Sequence, residues 1–128
     1  MSDNHGAVWW SELMTRDVEA AKAYYEGICG WVFETMPMGE MGDYHLGMRD
    51  GKPVVGMMDM TPMDHLKDVP EHWFTYLAVD DVDKAVEQTA AAGGRVMRPA
   101  WDAPGVGRIA IVSDPTGAAL GLITPAEL

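Results

Sequence analysis

The sequence predicts an α+β chain built from two tandem βαβββ modules. Two observations carry the prediction. Sliding the chain against itself by 64 residues, half its length of 128, aligns Trp9 with Trp73, Leu13 with Leu77, Asp17 with Asp81, Val18 with Val82, Ala21 with Ala85, Gly30 with Gly94 and Asp50 with Asp114, without a gap. Each half then reads as one strand, one amphipathic helix and three short strands, with the join near Thr61 to Glu71. The expected organisation is a single domain over residues 1–128, with modules at about 7–60 and 72–124.

The first module opens with Ala7 to Thr15, an apolar and aromatic stretch interrupted by Glu12, which suits a strand covered on both faces. Asp17 caps a helix whose apolar residues Val18, Ala21, Tyr24 or Tyr25 and Ile28 recur at helical spacing, and Gly30 stops it. Strands follow at Trp31 to Met36, Asp43 to Arg49 and Pro53 to Met60, with a turn at Asp50-Gly51. The second module repeats the order: strand Trp73 to Val79, helix Asp81 to Ala92, stop Gly93-Gly94, then strands Arg95 to Arg98, Gly107 to Ser113 and Ala118 to Thr124. The last two strands are joined by the turn Asp114-Pro115-Thr116-Gly117.

Composition narrows the function. A 48% hydrophobic fraction excludes a disordered chain, and no apolar run approaches the roughly 18 residues of a membrane span. The N-terminus has no basic cluster followed by an apolar stretch, so a cytoplasmic location is expected. Nine basic against 20 acidic residues, a net charge of -11, argue against a nucleic-acid partner. The one cysteine, Cys29, precludes an internal disulfide and is expected to be inert packing.

The helix opened by Asp17-Val18 with Tyr24-Tyr25 behind it, the pair Gly30-Trp31 and the late Asp114-Pro115-Thr116-Gly117 together resemble the vicinal-oxygen-chelate superfamily, the glyoxalase, bleomycin-resistance and dioxygenase type. More narrowly, Trp10 to Asp17, His72-Trp73 and Pro104 to Arg108 resemble a glyoxalase-like subgroup that includes actinobacterial antigen and hydroxylase-type proteins. The resemblance implies sheets curled around a ligand cleft, with helices outside, and a homodimer. In metal-using relatives a His or Glu stands on the first and last strand of each module. Here those positions fall on Trp10 and Met57 in the first half, and on Phe74 and Gly121 in the second. None offers the side-chain oxygen or nitrogen that a divalent ion requires, so no cofactor is expected, with a divalent metal as the alternative.

Strand alternation then puts Glu12 beside Trp10 and Tyr76 beside Phe74 on the cleft side, and sends Leu13 and Leu77 toward the helices. The expected ligand-binding set is Trp10, Glu12, Met57, Phe74, Tyr76, Arg108 and Gly121. Glu12, a carboxylate among rings, suits a general base or a polar anchor; alternatively it ties to Arg108 or a backbone group and serves the fold. Arg108 suits an anion clamp or a solvated charge. Met57, Met58, Met60, Met63 and His65 are read as packing rather than a copper site, because alternation separates Met57 from Met58 and Met60. The leading expectation is a metal-independent binder of a small organic molecule. The alternatives are a lyase, isomerase or dioxygenase-type enzyme that uses Glu12 as base or a metal at Glu12, His45 or Asp59, and an interaction module without a ligand.

Overall fold

A computed structural model describes residues 3–39 and 42–126. Its elements are β1 (Val8–Thr15), α1 (Val18–Cys29), β2 (Val32–Pro37), β3 (Asp43–Arg49), β4 (Lys52–Asp59), β5 (His72–Ala78), α2 (Val82–Ala91), β6 (Arg95–Ala103), β7 (Gly107–Ser113) and β8 (Ala119–Pro125). The order is βαβββ twice, in the α+β class. A 3₁₀ turn at Asp64–Leu66 was not anticipated. Two compact units emerge: residues 10–73, and residues 1–9 with 74–128.

In the unit of residues 10–73 the strands run in the order β2-β3-β4-β1, with β1 parallel to β4 and the other pairs antiparallel. The Asp17 side chain accepts a hydrogen bond from the Ala20 amide, and Gly30 ends α1 at φ 72, a left-handed position that glycine takes at little cost. The helix buries no residue fully. Tyr25 packs against Trp31 and Trp73 and accepts a hydrogen bond from the Trp73 indole, whereas Tyr24 and Ile28 are 58% and 60% exposed, so of the expected apolar stripe these two lie in solvent. Cys29 corrects the packing expectation: at the last helical residue it is exposed. The turn Asp50-Gly51 has positive φ at both residues, the geometry of a two-residue hairpin. Arg16 gathers the chain after β4, donating to the carbonyls of Leu66 and Val69 and to the Glu71 carboxylate.

In the other unit the order is β5-β8-β7-β6, with β5 parallel to β8. Val82, Ala110, Val112 and Leu122 form a core beneath α2, joined by Leu77, Ala85 and Val86, as the helix-facing expectation for Leu77 requires. On the opposite face Ala78, Ile109 and Ile123 pack with Ala7, Tyr76, Trp101 and Ile111. Asp81 caps α2 through the Lys84 amide, and Asp114 organises its turn by accepting from Thr116 and Ala118.

The gap-free offset of 64 needs a correction. It holds for the helix-opening acids Asp17 and Asp81, but the register pairs Glu12 with Gly56 in one unit and Tyr76 with Gly121 in the other, and Gly56 to Gly121 is 65 residues. The cause is β6, nine residues long against six in β2, with register irregularities between Val96 and Arg98 and between Arg98 and Trp101.

Candidate functional site

One residue of slip matters because side chains alternate: a shift by one exchanges the two faces of a strand. Met57, expected as the counterpart of Gly121, pairs instead with Leu13 and His45 and is fully buried on the helix-side face, so the true counterpart of Gly121 is Gly56. The face carrying Glu12 consists of Trp10, Glu12 and Met14 on β1, Gly56 and Met58 on β4, and Tyr44 and Leu46 on β3.

On this face the three polar side chains form a chain. The Trp10 indole N–H donates to the Tyr44 hydroxyl at 2.9 Å, and that hydroxyl donates to Glu12 Oε2 at 2.9 Å. Tyr44 reaches Glu12 because β4 has a glycine between them: a Cβ at Gly56 would collide with the Tyr44 hydroxyl. Glu12 is 8% exposed. Its pKa is pushed up from 4.5 to about 7 by burial among apolar neighbours, against the Tyr44 hydrogen bond, which favours the anion. A carboxyl group so placed exchanges a proton near neutral pH. Toward the β2 edge a groove of about 510 Å³ is lined by Gly30, Val32, Glu34, Met48, Asp50 and Gly51.

In the other unit Phe74 and Tyr76 meet edge to face at 5.4 Å, and a Cβ at Gly121 would collide with the Tyr76 ring. This face carries Ile109, Ile111 and Ile123 together with Trp101, over whose ring the Arg98 guanidinium stacks at 3.6 Å. Arg108 is not on it. It lies on the helix side, where its guanidinium forks onto Asp83 of α2 at 2.8 and 3.0 Å and meets Asp102 at 3.1 Å. The expected tie between Glu12 and Arg108 is therefore replaced by Tyr44, and the ligand-clamp expectation for Arg108 gives way to a surface ion-pair network that pushes its pKa further up. Sequence reasoning missed Tyr44. A glycine inside the strand Pro53 to Met60 was the available signal, since such a glycine marks the close approach of another group.

The positions that carry ligands in metal-using relatives lack them here. Trp10 with Gly56, and Phe74 with Gly121, supply no donor atoms, so the residues do not fit a divalent ion there. The alternative set of Glu12, His45 and Asp59 does not converge either. His45 and Asp59 share the helix-side face with Met57, opposite to Glu12; burial and the Lys22 charge lower the His45 pKa, and its ring meets the Thr35 hydroxyl. Among the described residues no three His, Cys, Asp or Glu side chains are grouped to hold a metal ion. Nor, among them, is any helix long and apolar enough to cross a membrane.

The chain is 40% identical over 114 residues to a Mycobacterium tuberculosis protein provisionally named glyoxylase CFP32, covering 88% of this chain and 43% of that protein. It is 31% identical over 127 residues to the anthracycline biosynthesis protein DnrV of Streptomyces peucetius, covering 91% of this chain and 46% of that one. The chain thus spans about half the length of these curated relatives. Among solved structures, methylmalonyl-CoA epimerase from Mycobacterium tuberculosis superposes with a TM-score of 0.68 at 16% identity, over 99% of this chain and 93% of that chain. A methylmalonyl-CoA epimerase complexed with methylmalonyl-CoA and NH4+ gives 0.69 at 19%, over 95% and 96%; at such identities the likeness is one of fold. Residues 7–122 match the family described as Glyoxalase/Bleomycin resistance protein/Dioxygenase superfamily, and the chain belongs to it.

Proposed function

We propose that this chain binds a small organic molecule with an apolar, ring-bearing body against the face formed by Trp10, Met14, Tyr44, Leu46 and Met58, and that Glu12 meets the ligand's polar group. The observation that carries the proposal is Glu12 itself: a buried carboxyl group on an apolar face, with one hydrogen-bond partner among the described residues and a pKa near 7. In its acid form it donates to a carbonyl oxygen; in its base form it accepts from a hydroxyl or attracts a cation. The printed names of the relatives, a glyoxylase and an anthracycline biosynthesis protein, support a small organic ligand. Metal independence is part of the proposal and rests on the donor-free positions above. The same pKa favours a second reading, a lyase or isomerase in which Glu12 moves a proton.

The neutral aromatic ketone prodan is the probe. Its fluorescence is expected to report binding that weakens several-fold as pH rises through about 7, because the acid form of Glu12 is the donor, and that is independent of pH in Glu12→Gln. Absence of binding, or the same pH profile in both proteins, overturns the proposal. Native mass spectrometry with elemental analysis, on protein purified without chelators, is expected to show no stoichiometric divalent metal and the mass of a homodimer. One equivalent of metal per chain overturns the metal-free part, and a monomer mass overturns the dimer.

A further inference from the structure

Strand β6 departs from its partner twice, and the two departures decide which of its side chains share a face. Its antiparallel pairing with β7 joins Arg95 to Ser113 and Val96 to Val112, then Arg98 to Ile111, then Trp101 to Ile109. Each irregularity therefore adds one residue to β6, and one added residue exchanges the faces of the strand beyond it. With neither bulge Arg98 would oppose Ala110, which belongs to the core beneath α2. The first bulge turns Arg98 to the side of Ile111. The second, which spans Pro99, brings Trp101 back to that same side, and a proline suits the place because it has no amide to give to a ladder. The result is a direct contact: the Arg98 guanidinium lies over the Trp101 ring at 3.6 Å.

Stacking occupies one face of the guanidinium plane and leaves the N–H donors at its edge. Arg108 spends its donors on Asp83 and Asp102, and Arg16 spends its own on Glu71 and on the carbonyls of Leu66 and Val69. Arg98 is exposed and, among the described residues, has neither a hydrogen bond nor an ion pair. The cross-strand rows that begin at Arg95, Arg98 and Trp101 contain no Asp or Glu, in a chain with 20 acidic residues against nine basic ones. The row of Arg98 passes Ile111 and Gly121 and ends at Tyr76, whose ring lies across that glycine. We infer that this face of the second module holds a small ring-bearing acid: the ligand's carboxylate meets the in-plane donors of Arg98, and its ring lies against Trp101, Ile111 and Tyr76. Arg95, on the same side of β6, adds positive charge. Protection of a sheet edge explains a charge on β6, the outermost strand of its unit, but Arg95 serves that purpose without a bulge. Two bulges that set a guanidinium on an indole, with its donors unspent, make a fork of fixed orientation.

The inference does not use Glu12, and its probe is an acid rather than the neutral prodan, so either reading can fail alone. Three of the chain's four isoleucines, Ile109, Ile111 and Ile123, lie on this face, and the fourth, Ile28, is on α1. Carbon-labelled isoleucine methyls in the full chain therefore report the site by NMR. Naphthoate is expected to shift the three face methyls saturably, to leave Ile28 unmoved, and to bind about tenfold more tightly than naphthyl methyl ketone, which has the same rings without the charge. Arg98→Met keeps an unbranched stem over Trp101 and removes the donors. It is expected to bring the affinity for naphthoate down to that for the ketone and to leave the ketone unaffected. Arg108→Gln removes the same charge from the other face and is expected to change neither affinity. Equal native affinities for acid and ketone, a preference for the acid that survives Arg98→Met or is lost as much in Arg108→Gln, or the absence of saturable shifts at the three face methyls overturns the inference.

Discussion

Glu12 and Tyr76 hold the same place in the two modules, each on the first strand and each paired in register with a glycine of the last, yet they make different surfaces. In the second module the ring on the first strand lies across its own glycine, among Ile109, Ile111, Ile123 and Trp101, with Arg98 stacked on the Trp101 ring. In the first module the ring arrives from β3 instead, as Tyr44, and its hydroxyl spans the glycine to a carboxyl group on β1. The glycine is needed in both cases for the same steric reason. The residue opposite it decides whether the face can titrate.

The largest expected effect breaks this asymmetry at Glu12. Its folded pKa of about 7 stands above the 4.5 of an exposed glutamate, so the folded protein holds the proton more tightly than the unfolded chain. Stability conferred by that proton is complete at low pH, falls as pH rises from about 4.5 to about 7, and is gone above it. Glu12→Gln keeps a carbonyl oxygen for Tyr44 and removes the titration. It is expected to match the native protein at about pH 4 and below and to exceed it by about 3 kcal/mol above pH 7 in denaturant unfolding. Equal pH profiles would show that burial does not perturb Glu12.

A smaller effect sharpens the comparison. Gly56→Ala and Gly121→Ala each force a tyrosine aside and are expected to cost about 2 kcal/mol of stability, read by thermal unfolding. They differ in a second measurement: Gly56→Ala also raises the Glu12 midpoint, because it dislodges the Tyr44 donor, while Gly121→Ala leaves that midpoint unmoved. Equal effects of the two on Glu12 would contradict the division of roles.

Much of the fold was legible because its signals are local. Asp17 and Asp81 cap their helices as their position before an apolar periodicity implies, and the strand boundaries at β3 and β7 are those that turn residues predict. The pairing of Trp10 and Glu12 on one face followed from alternation alone. The failures were failures of register. A repeat counted without gaps placed Met57 where Gly56 belongs, because the two-step irregularity in β6 leaves no mark that a count can detect. Arg108 was assigned by its loop rather than its face: Gly121 pairs with Ile111, three residues along β7, so Arg108 points to the other side and finds Asp83. Tyr44 was missed because the contact that defines it crosses an intervening strand; Gly56 signals a close approach there but not which residue makes it.

The most direct test of the account is the titration of the Glu12 side-chain carboxyl by carbon NMR in the ligand-free native protein, assigned by its loss in Glu12→Gln. A midpoint near 7 is the result predicted for a proton-exchanging carboxyl group on an apolar binding face; a midpoint near 4.5 would contradict it.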